Sequence, residues 1–327
     1  MTWKNRRVLV TGAGGFIGSH LVEALVQRGA CVRAFVHYNA LGKNGWLDES
    51  GVRDAIEIHS GDIQDRDSVL AACRDIEVVF HLAALIGIPY SYHAPLSYVR
   101  TNAEGTLNVL QAARTVGVGR LIHTSTSEVY GTAQYVPIDE NHPLQGQSPY
   151  SASKIAADKL AEAFHRSFDL PVVTVRPFNT YGPRQSPRAV VPTIIGQHLF
   201  EDVLRLGSVT PIRDLTFVSD TVNGFLAAAE SPDSVGRTMN LGTGRGIAIE
   251  DLVGIVVRVV GRSLPLEIDE ARKRPTASEV ERLVADNSEM RSLTGWSPSV
   301  SLEEGLGATA EWIREHQGFW RFREYAV

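Results

Sequence analysis

Val8-Leu-Val-Thr-Gly12-Ala-Gly-Gly15-Phe-Ile-Gly18 is the stretch from which the rest of the chain can be read. Val8 to Thr11 is a short apolar run, the signature of a buried strand. Gly12 then lets the chain turn sharply, Gly15 lets backbone approach a pyrophosphate, and Gly18 lets the following helix pack closely on the strand. The helix, read over Gly15 to Arg28, places Ile17, Leu21 and Leu25 on one face. Its N-terminus offers free N–H groups and a positive dipole end to a phosphate. A glycine trio alone suits any tight turn. The strand before it and the amphipathic helix after it select the dinucleotide reading.

The alternation continues outward from that turn. Strands are expected at Val32–Val36, Ile56–His59, Val78–Leu82, Leu121–Ser125 and Val172–Arg176, and helices at Asp65–Cys73, Ser97–Val116 and Tyr150–Phe168. Short apolar strands alternating with helices imply right-handed crossovers and a parallel sheet covered on both faces. The fold class is therefore α/β, a Rossmann-like doubly wound parallel sheet with a smaller α/β lobe. Pro and Gly thicken from Pro177 to Pro192. Leu215–Val218 with Asp220–Ala229 reads as one more strand and helix returning to the sheet, and the tail from Gly244 as two or three helices. The division expected is residues 1–178 with 213–242 for the cofactor domain, and 179–212 with 243–327 for the lobe.

The 327 residues are 43% apolar and 21% charged, ordinary for a globular chain, with a formal net charge of −5 and no long basic run. Nucleic acid is not a favoured partner. Cys31 and Cys73 have no ligand or disulfide spacing and read as reduced thiols. No run approaches membrane-spanning length, and Met1 to Arg7 leads straight into the first strand, so a cytoplasmic protein without a metal site is expected.

The end of the second strand commonly carries an acid for an NAD ribose or a base for an NADP phosphate. Here it reads Phe35-Val-His37-Tyr-Asn39, with no carboxylate and with Arg33, His37 and Lys43 nearby. The cofactor is thus NAD or NADP, with these cations tipping the reading towards NADP. Asp62, after the third strand, either accepts from an adenine amino group or caps the next helix.

Tyr150-Ser-Ala-Ser-Lys154 opens a helix, and four-residue spacing puts phenol and ammonium on one face. An ammonium beside a phenol favours phenolate and lowers its pKa, which suits a base for a sugar hydroxyl. Ser125-Thr126-Ser127-Glu128 stands at the C-terminal end of a parallel strand, the edge where ligands gather.

These segments together resemble the extended short-chain dehydrogenase/reductase family of NAD-dependent nucleotide-sugar epimerases and dehydratases. The resemblance spans the chain: the glycine loop, His81-Leu-Ala-Ala84, Thr101-Asn102-Ala-Glu-Gly-Thr106, Tyr150/Lys154, Arg176-Pro-Phe-Asn179-Thr-Tyr-Gly-Pro183-Arg184, Arg213-Asp214 and Gly295-Trp296. It implies a cofactor set of Gly12, Gly15, Phe16, Ile17, Gly18, His37, Asp62, Ile63, Leu82, Ala83, Ala84, Tyr150 and Lys154. It also implies nucleotide-sugar contacts from Asn179, Arg184, Arg213 and, more weakly, Arg274. A homodimer is implied through Ser97–Val116 and Tyr150–Phe168, with Leu107, Leu110, Ile155, Leu160 and Phe164 on the seam. The same residues would serve ordinary packing equally well.

Glu128 bears most on the reaction. A 4-epimerase of this family needs no acid there, whereas a 4,6-dehydratase needs one to take the C5 proton. Thr126-Ser127-Glu128 looks like the Thr-Ser-Glu trio of GDP-mannose 4,6-dehydratases. The dTDP-glucose dehydratases have Asp where this chain has Ser127, so either Glu128 or a water held by Ser127 must protonate the leaving hydroxyl. Val36–Asn39, Leu85–Tyr90 and Gln145–Tyr150 are most similar to dehydratases acting on nucleotide-linked N-acetylglucosamine, in routes to legionaminic-type sugars. The expected function is therefore a lyase, an NDP-N-acetylglucosamine 4,6-dehydratase (UDP or GDP), with Tyr150 as C4 base, Lys154 tuning it, Thr126 orienting the C4 oxygen, Glu128 taking the C5 proton and Ser127 assisting loss at C6. A 4-epimerase, a decarboxylase and a 5,6-dehydratase stay open as alternatives within the family. A non-catalytic sensor on the same fold is the rival from another class.

Overall fold

The computed structural model describes residues 2–273 and 275–319, so Arg274 lies outside the described residues. The chain begins β1 (Arg7–Thr11), α1 (Phe16–Gln27), β2 (Cys31–His37), β3 (Glu57–Gly61), α2 (Arg66–Cys73) and β4 (Val78–His81). It continues α3 (Ile88–His93), α4 (Pro95–Tyr98), a π-helical stretch Val99–Glu104, α5 (Gly105–Val116), β5 (Arg120–Thr124), α6 (Pro149–Phe168) and β6 (Val172–Pro177). The rest is β7 (Asn179–Tyr181), α7 (Val190–Phe200), β8 (Leu204–Leu206), β9 (Ile212–Phe217), α8 (Val218–Glu230), β10 (Thr238–Leu241), β11 (Gly246–Ala248), α9 (Ile249–Val260), β12 (Leu266–Ile268), β13 (Arg282–Leu283), α10 (Ser288–Thr294) and α11 (Leu302–Glu315).

The large sheet has the order β10-β6-β5-β4-β1-β2-β3 with every neighbouring pair parallel. This is the doubly wound sheet expected. Alternate side chains of each strand face opposite layers. Val8 and Val10 pack with Leu21 and Leu25 of α1 and Phe225 of α8, while Leu9 packs on the other face with Val109 of α5 and Phe164 of α6. Leu21 and Leu25 are fully buried, each stabilising the fold by about 1.5–3 kcal/mol. The outer edges differ. Asn240 N on β10 donates to Glu140 Oε1 at 2.7 Å, whereas β3 carries the half-exposed run Glu57-Ile-His-Ser-Gly61.

The lobe is a second sheet in which β9 pairs with β7, β11 and β13, beneath α7, α9 and α11. Here the sequence expectation needs correcting. Leu215–Val218 does not return to the large sheet, because Leu215 pairs with Asn179 and Arg213 with Ile247. The helix after it does return, and the seventh strand is β10, too short and too interrupted by the buried Asn240 to register as an apolar run. The tail also crosses back, since Met290, Leu293 and Trp296 pack in the core with α1 and α8. Among the described residues no helix is long and apolar enough to cross a membrane.

Candidate active site

A cleft of ≈ 1190 Å³ opens between sheet and lobe at the C-terminal ends of β1, β2, β4, β5 and β6. Its floor is the glycine turn. Gly12 has φ +69°, and a Cβ there would stand 2.8 Å from Ala83 N. A Cβ on Gly18 would stand 2.2 Å from Gly12 O, so helix and turn touch with no room for a side chain. No side chain caps α1, leaving its first amides for an anion. Thr11 Oγ1 accepts from Leu82 N and Ala83 N, both at 3.1 Å, and bonds His81 Nδ1 at 2.8 Å, fixing the turn against the end of β4. Asn102, in the π-helical stretch, bonds both Leu85 N and Leu85 O and also Ser153 Oγ, tying that loop to α6.

The expected cofactor residues divide. Gly12, Gly15, Phe16, Ile17, Gly18, His37, Leu82, Ala83, Ala84, Tyr150 and Lys154 line the cleft. Asp62 and Ile63 do not. Asp62 accepts from Gln64 N at 2.9 Å, Asp65 is the residue that caps α2, and Ile63 is buried against Gly105. Arg33 is also turned elsewhere, paired with Glu57 at 2.8 Å and donating to the carbonyls of Ala72 and Arg74. One of the three cations that tipped the reading towards NADP is thereby engaged away from the cleft. Lys43 and His37 remain on the lining.

Sequence reasoning does not find the loop after β2. Trp46 N donates to Gly14 O at 3.0 Å, and the Trp46 ring meets Trp312 of α11 edge-on at 5.2 Å, so the loop joins the glycine turn to the lobe. Two indoles so far apart in sequence carry no local signal.

Ser148 caps α6 with Ser151 in a capping box and Pro149 opens the first turn, which presents Tyr150 at the helix entrance. Tyr150 and Lys154 are 6% and 4% exposed. Lys154 Nζ donates to Thr124 O at 2.6 Å. The phenol is not lowered as the spacing suggested. Burial drives Tyr150 well above its ordinary range; a hydrogen bond with Thr126 opposes this, and the Glu128 carboxylate adds to it. Burial likewise pulls Lys154 down to about 8, against the attraction of Asp158. The spacing of the pair is legible in the sequence, but the desolvation of both groups is not. Thr126 and Glu128 line the cleft, whereas Ser127 is 3% exposed and does not.

On the lobe side, Asn179, Arg184 and Arg213 all reach the lining. The Asn179 Oδ1 atom is buried with no hydrogen-bond partner among the described residues. Arg184, at φ +71°, binds Glu23 at 2.8 Å and Ser19 at 3.2 Å on α1. Burial raises the Glu23 carboxyl, but bonds from Arg184 and Ser50 hold it below its usual value. Arg213 pairs with Glu279 at 3.2 Å. The lining bears Lys43, Lys154, Arg184, Arg188, Arg213 and Arg272 against only Glu128 and Glu279. A chain of net charge −5 thus keeps a positive cleft. Among the described residues no cluster of His, Cys, Asp or Glu could hold a metal.

A glycine-cradled anion site beside a Tyr/Lys pair, on a parallel doubly wound sheet, defines the class of short-chain dehydrogenase/reductase folds. More narrowly, the chain belongs to the extended, NAD-dependent epimerase/dehydratase family: the GDP-mannose 4,6 dehydratase family model matches residues 9–309. It is 34% identical to the UDP-glucose 4-epimerase of Mycolicibacterium smegmatis, covering 94% of this chain and 98% of the relative. It is also 34% identical to the dTDP-glucose 4,6-dehydratase of Streptomyces griseus, covering 96% and 95%. Two solved structures are similar throughout. The Streptomyces venezuelae dTDP-glucose 4,6-dehydratase with NAD bound has a TM-score of 0.86 at 30% identity, covering 96% of this chain and 98% of that one. The Bacillus cereus UDP-glucuronic acid 4-epimerase, in complex with UDP-glucuronic acid and NAD, has a TM-score of 0.86 at 30% identity, covering 94% and 99%.

Proposed function

We propose that the protein is a nucleotide-sugar 4,6-dehydratase using tightly held NAD. The observation that carries this reading is Glu128, a carboxylate on the wall of the same cleft as Tyr150 and close enough to perturb it. Gly12, Gly15, Gly18 and the α1 N-terminus fit a dinucleotide, since a Cβ at Gly12 or Gly18 would fill the cradle. Bound there, NAD supplies a reversible hydride acceptor. NAD is favoured over NADP because Arg33 is engaged with Glu57 and the NAD-bearing neighbours share the fold.

Burial raises the Tyr150 phenol, and the Lys154 ammonium together with the positive charge NAD would bring favours its phenolate, which would take the proton of the sugar C4 hydroxyl while Thr126, bonded to it, orients that oxygen. Lys154 keeps a positive charge beside the site. Once C4 is a ketone, the C5 proton is acidic and Glu128 removes it. Because Ser127 is buried away from the lining, Glu128 also returns that proton to the departing C6 hydroxyl. Asn179 and Arg213 serve the diphosphate. The apolar segment Ile86, Ile88, Pro89 and Tyr90 gives the lining a surface suited to an acetamido methyl, which supports a UDP- or GDP-N-acetylglucosamine substrate. The burial of Ser127 also supports a second reading, a 4-epimerase, which needs no second proton donor.

Incubation with UDP-, GDP-, CDP- and dTDP-hexoses, followed by product mass, separates them. Loss of one water supports the dehydratase. Unchanged mass with inverted C4 supports the epimerase. No turnover of any donor while cofactor binds would leave only a sensor. We further propose a homodimer. Leu110 and Phe164 are inside the subunit core, so the seam would fall on the half-buried Leu107, Ile155 and Leu160 with the exposed Leu96 and Val99. Light scattering at micromolar concentration tests it, and a monomer ends it.

A further inference from the structure

Beneath the Tyr150–Lys154 pair lies a buried ion network that the steps above do not use. Asp158 is one helical turn beyond Lys154 on α6 and is 4% exposed. Its Oδ1 accepts from His123 Nε2 at 3.0 Å. Its Oδ2 accepts from Ser125 Oγ at 2.8 Å and from Arg176 Nε and Nη2 at 3.1 and 3.0 Å. Arg176 Nη1 donates onward to Tyr130 Oη at 2.8 Å, which donates to Asn240 Oδ1 at 2.7 Å. One carboxylate thus ties α6 to β5 and β6 where Ser125–Glu128 leaves the sheet.

A buried ion pair is weak evidence of stability, because well-packed apolar residues often do as well. Its charge balance is the informative feature. Arg176 alone would neutralise Asp158, yet Lys154 brings a second buried cation to the same place. The other groups around Lys154 offer it no negative charge from below. His123 on β5 and His81 on β4 are both held neutral by burial. Tyr150 on α6 and Tyr98 on α4 are raised phenols. Glu128 lies across the cleft wall.

We propose that Asp158 is a positioning residue for the reaction, keeping the Lys154 ammonium protonated in a dry interior and, through Ser125, holding the backbone that presents Thr126 and Glu128. The proposal rests on the reading of Tyr150 and Lys154 as the catalytic pair. Burial brings Lys154 to about 8 even with Asp158 opposing the fall. Without that carboxylate the lysine would lose its proton at lower pH. Asp158 itself stays ionised. Burial would raise it, but the His123 bond and the charges of Arg176 and Lys154 bring it to about 2.

The test uses the full chain and four variants: Asp158→Asn, Asp158→Asn/Arg176→Met, Ser125→Ala and Asp158→Glu. The double variant removes both charges, so Arg176 is not left unpaired if the single variant folds poorly. The first readout is kcat against pH on whichever nucleotide-sugar the parent turns over. Asp158→Asn and the double variant should move the alkaline limb down by about one pH unit, from about 8 to about 7, which lowers kcat about twofold at pH 7 and about fivefold at pH 8 with little change in KM. Ser125→Ala should lower kcat without moving the limb, and Asp158→Glu should keep the limb where the parent has it. The second readout does not need catalysis. With cofactor removed, the stability difference between Lys154 and Lys154→Met is followed against pH in the parent and double-variant backgrounds. Its pH-dependent window should open near 8 in the parent and lower in the double variant. Folded variants with an unmoved limb and an unmoved window overturn the proposal. A parent that turns over no nucleotide-sugar overturns the catalytic reading instead, and the stability window then decides the Asp158 claim.

Discussion

Replacing Lys154 with Met should make the protein more stable while removing its activity. The lysine falls from 10.5 to about 8 in the folded chain, chiefly by burial. At about 1.4 kcal/mol per pH unit, its ionisation costs the fold about 3 kcal/mol at neutral pH. Methionine has a similar length and no charge to desolvate, but it forfeits the bond to Thr124 O, worth about 1 kcal/mol. The net expectation is a gain of about 2 kcal/mol at pH 7. Between the folded and unfolded values the unfolded chain binds the extra proton, so the parent gains stability as pH rises from about 8 to 10.5. The variant's advantage is therefore full below pH 8 and fades through that window. Urea denaturation of cofactor-free protein at several pH values, with the slope of the transition checked for constancy, measures it. A variant less stable than the parent at pH 7, or an advantage that stays flat up to about pH 10, would refute the reasoning.

Three further expectations follow from the same geometry. Tyr150→Phe should lower kcat by about 10²–10⁴-fold while leaving cofactor binding, read by NADH fluorescence, within a few-fold of the parent. Glu128→Gln should abolish water loss yet still allow C4 oxidation, seen as NADH absorbance appearing when the nucleotide-sugar is added. Retained formation of the 4-keto-6-deoxy sugar would remove Glu128 from the mechanism. Gly18→Ala forces a Cβ to within 2.2 Å of Gly12 O and should cost about 1–3 kcal/mol together with most NADH affinity, seen in thermal unfolding with and without cofactor.

The parts of this molecule legible in the sequence are those governed by near neighbours. The strand–Gly12–Gly15–Gly18–helix pattern, Tyr150 with Lys154 four residues on, and Glu128 after β5 are all local, and all reach one cleft. What escapes depends on distant chain. Whether Leu215 joins the large sheet is decided by its pairing with Asn179. Tyr150 has a raised phenol because of everything packed over it, and i,i+4 spacing carries no record of that desolvation. Ser127 reads as a cleft residue by adjacency to Glu128, but the short turn after β5 rolls one side chain outward and the next inward. Asp158, four residues past Lys154, can be suspected from spacing alone. Its partners on β5 and β6 cannot.

The unequal edges of the large sheet limit how two copies of this chain can meet. On β10 the outward amide of Asn240 is already taken by Glu140. On β3 the rim is set with Glu57, His59 and Ser60, and Glu57 is held by Arg33. Charged and polar side chains along an open rim discourage strand-to-strand annealing. Extension of the sheet by a further strand is therefore disfavoured at both of its edges.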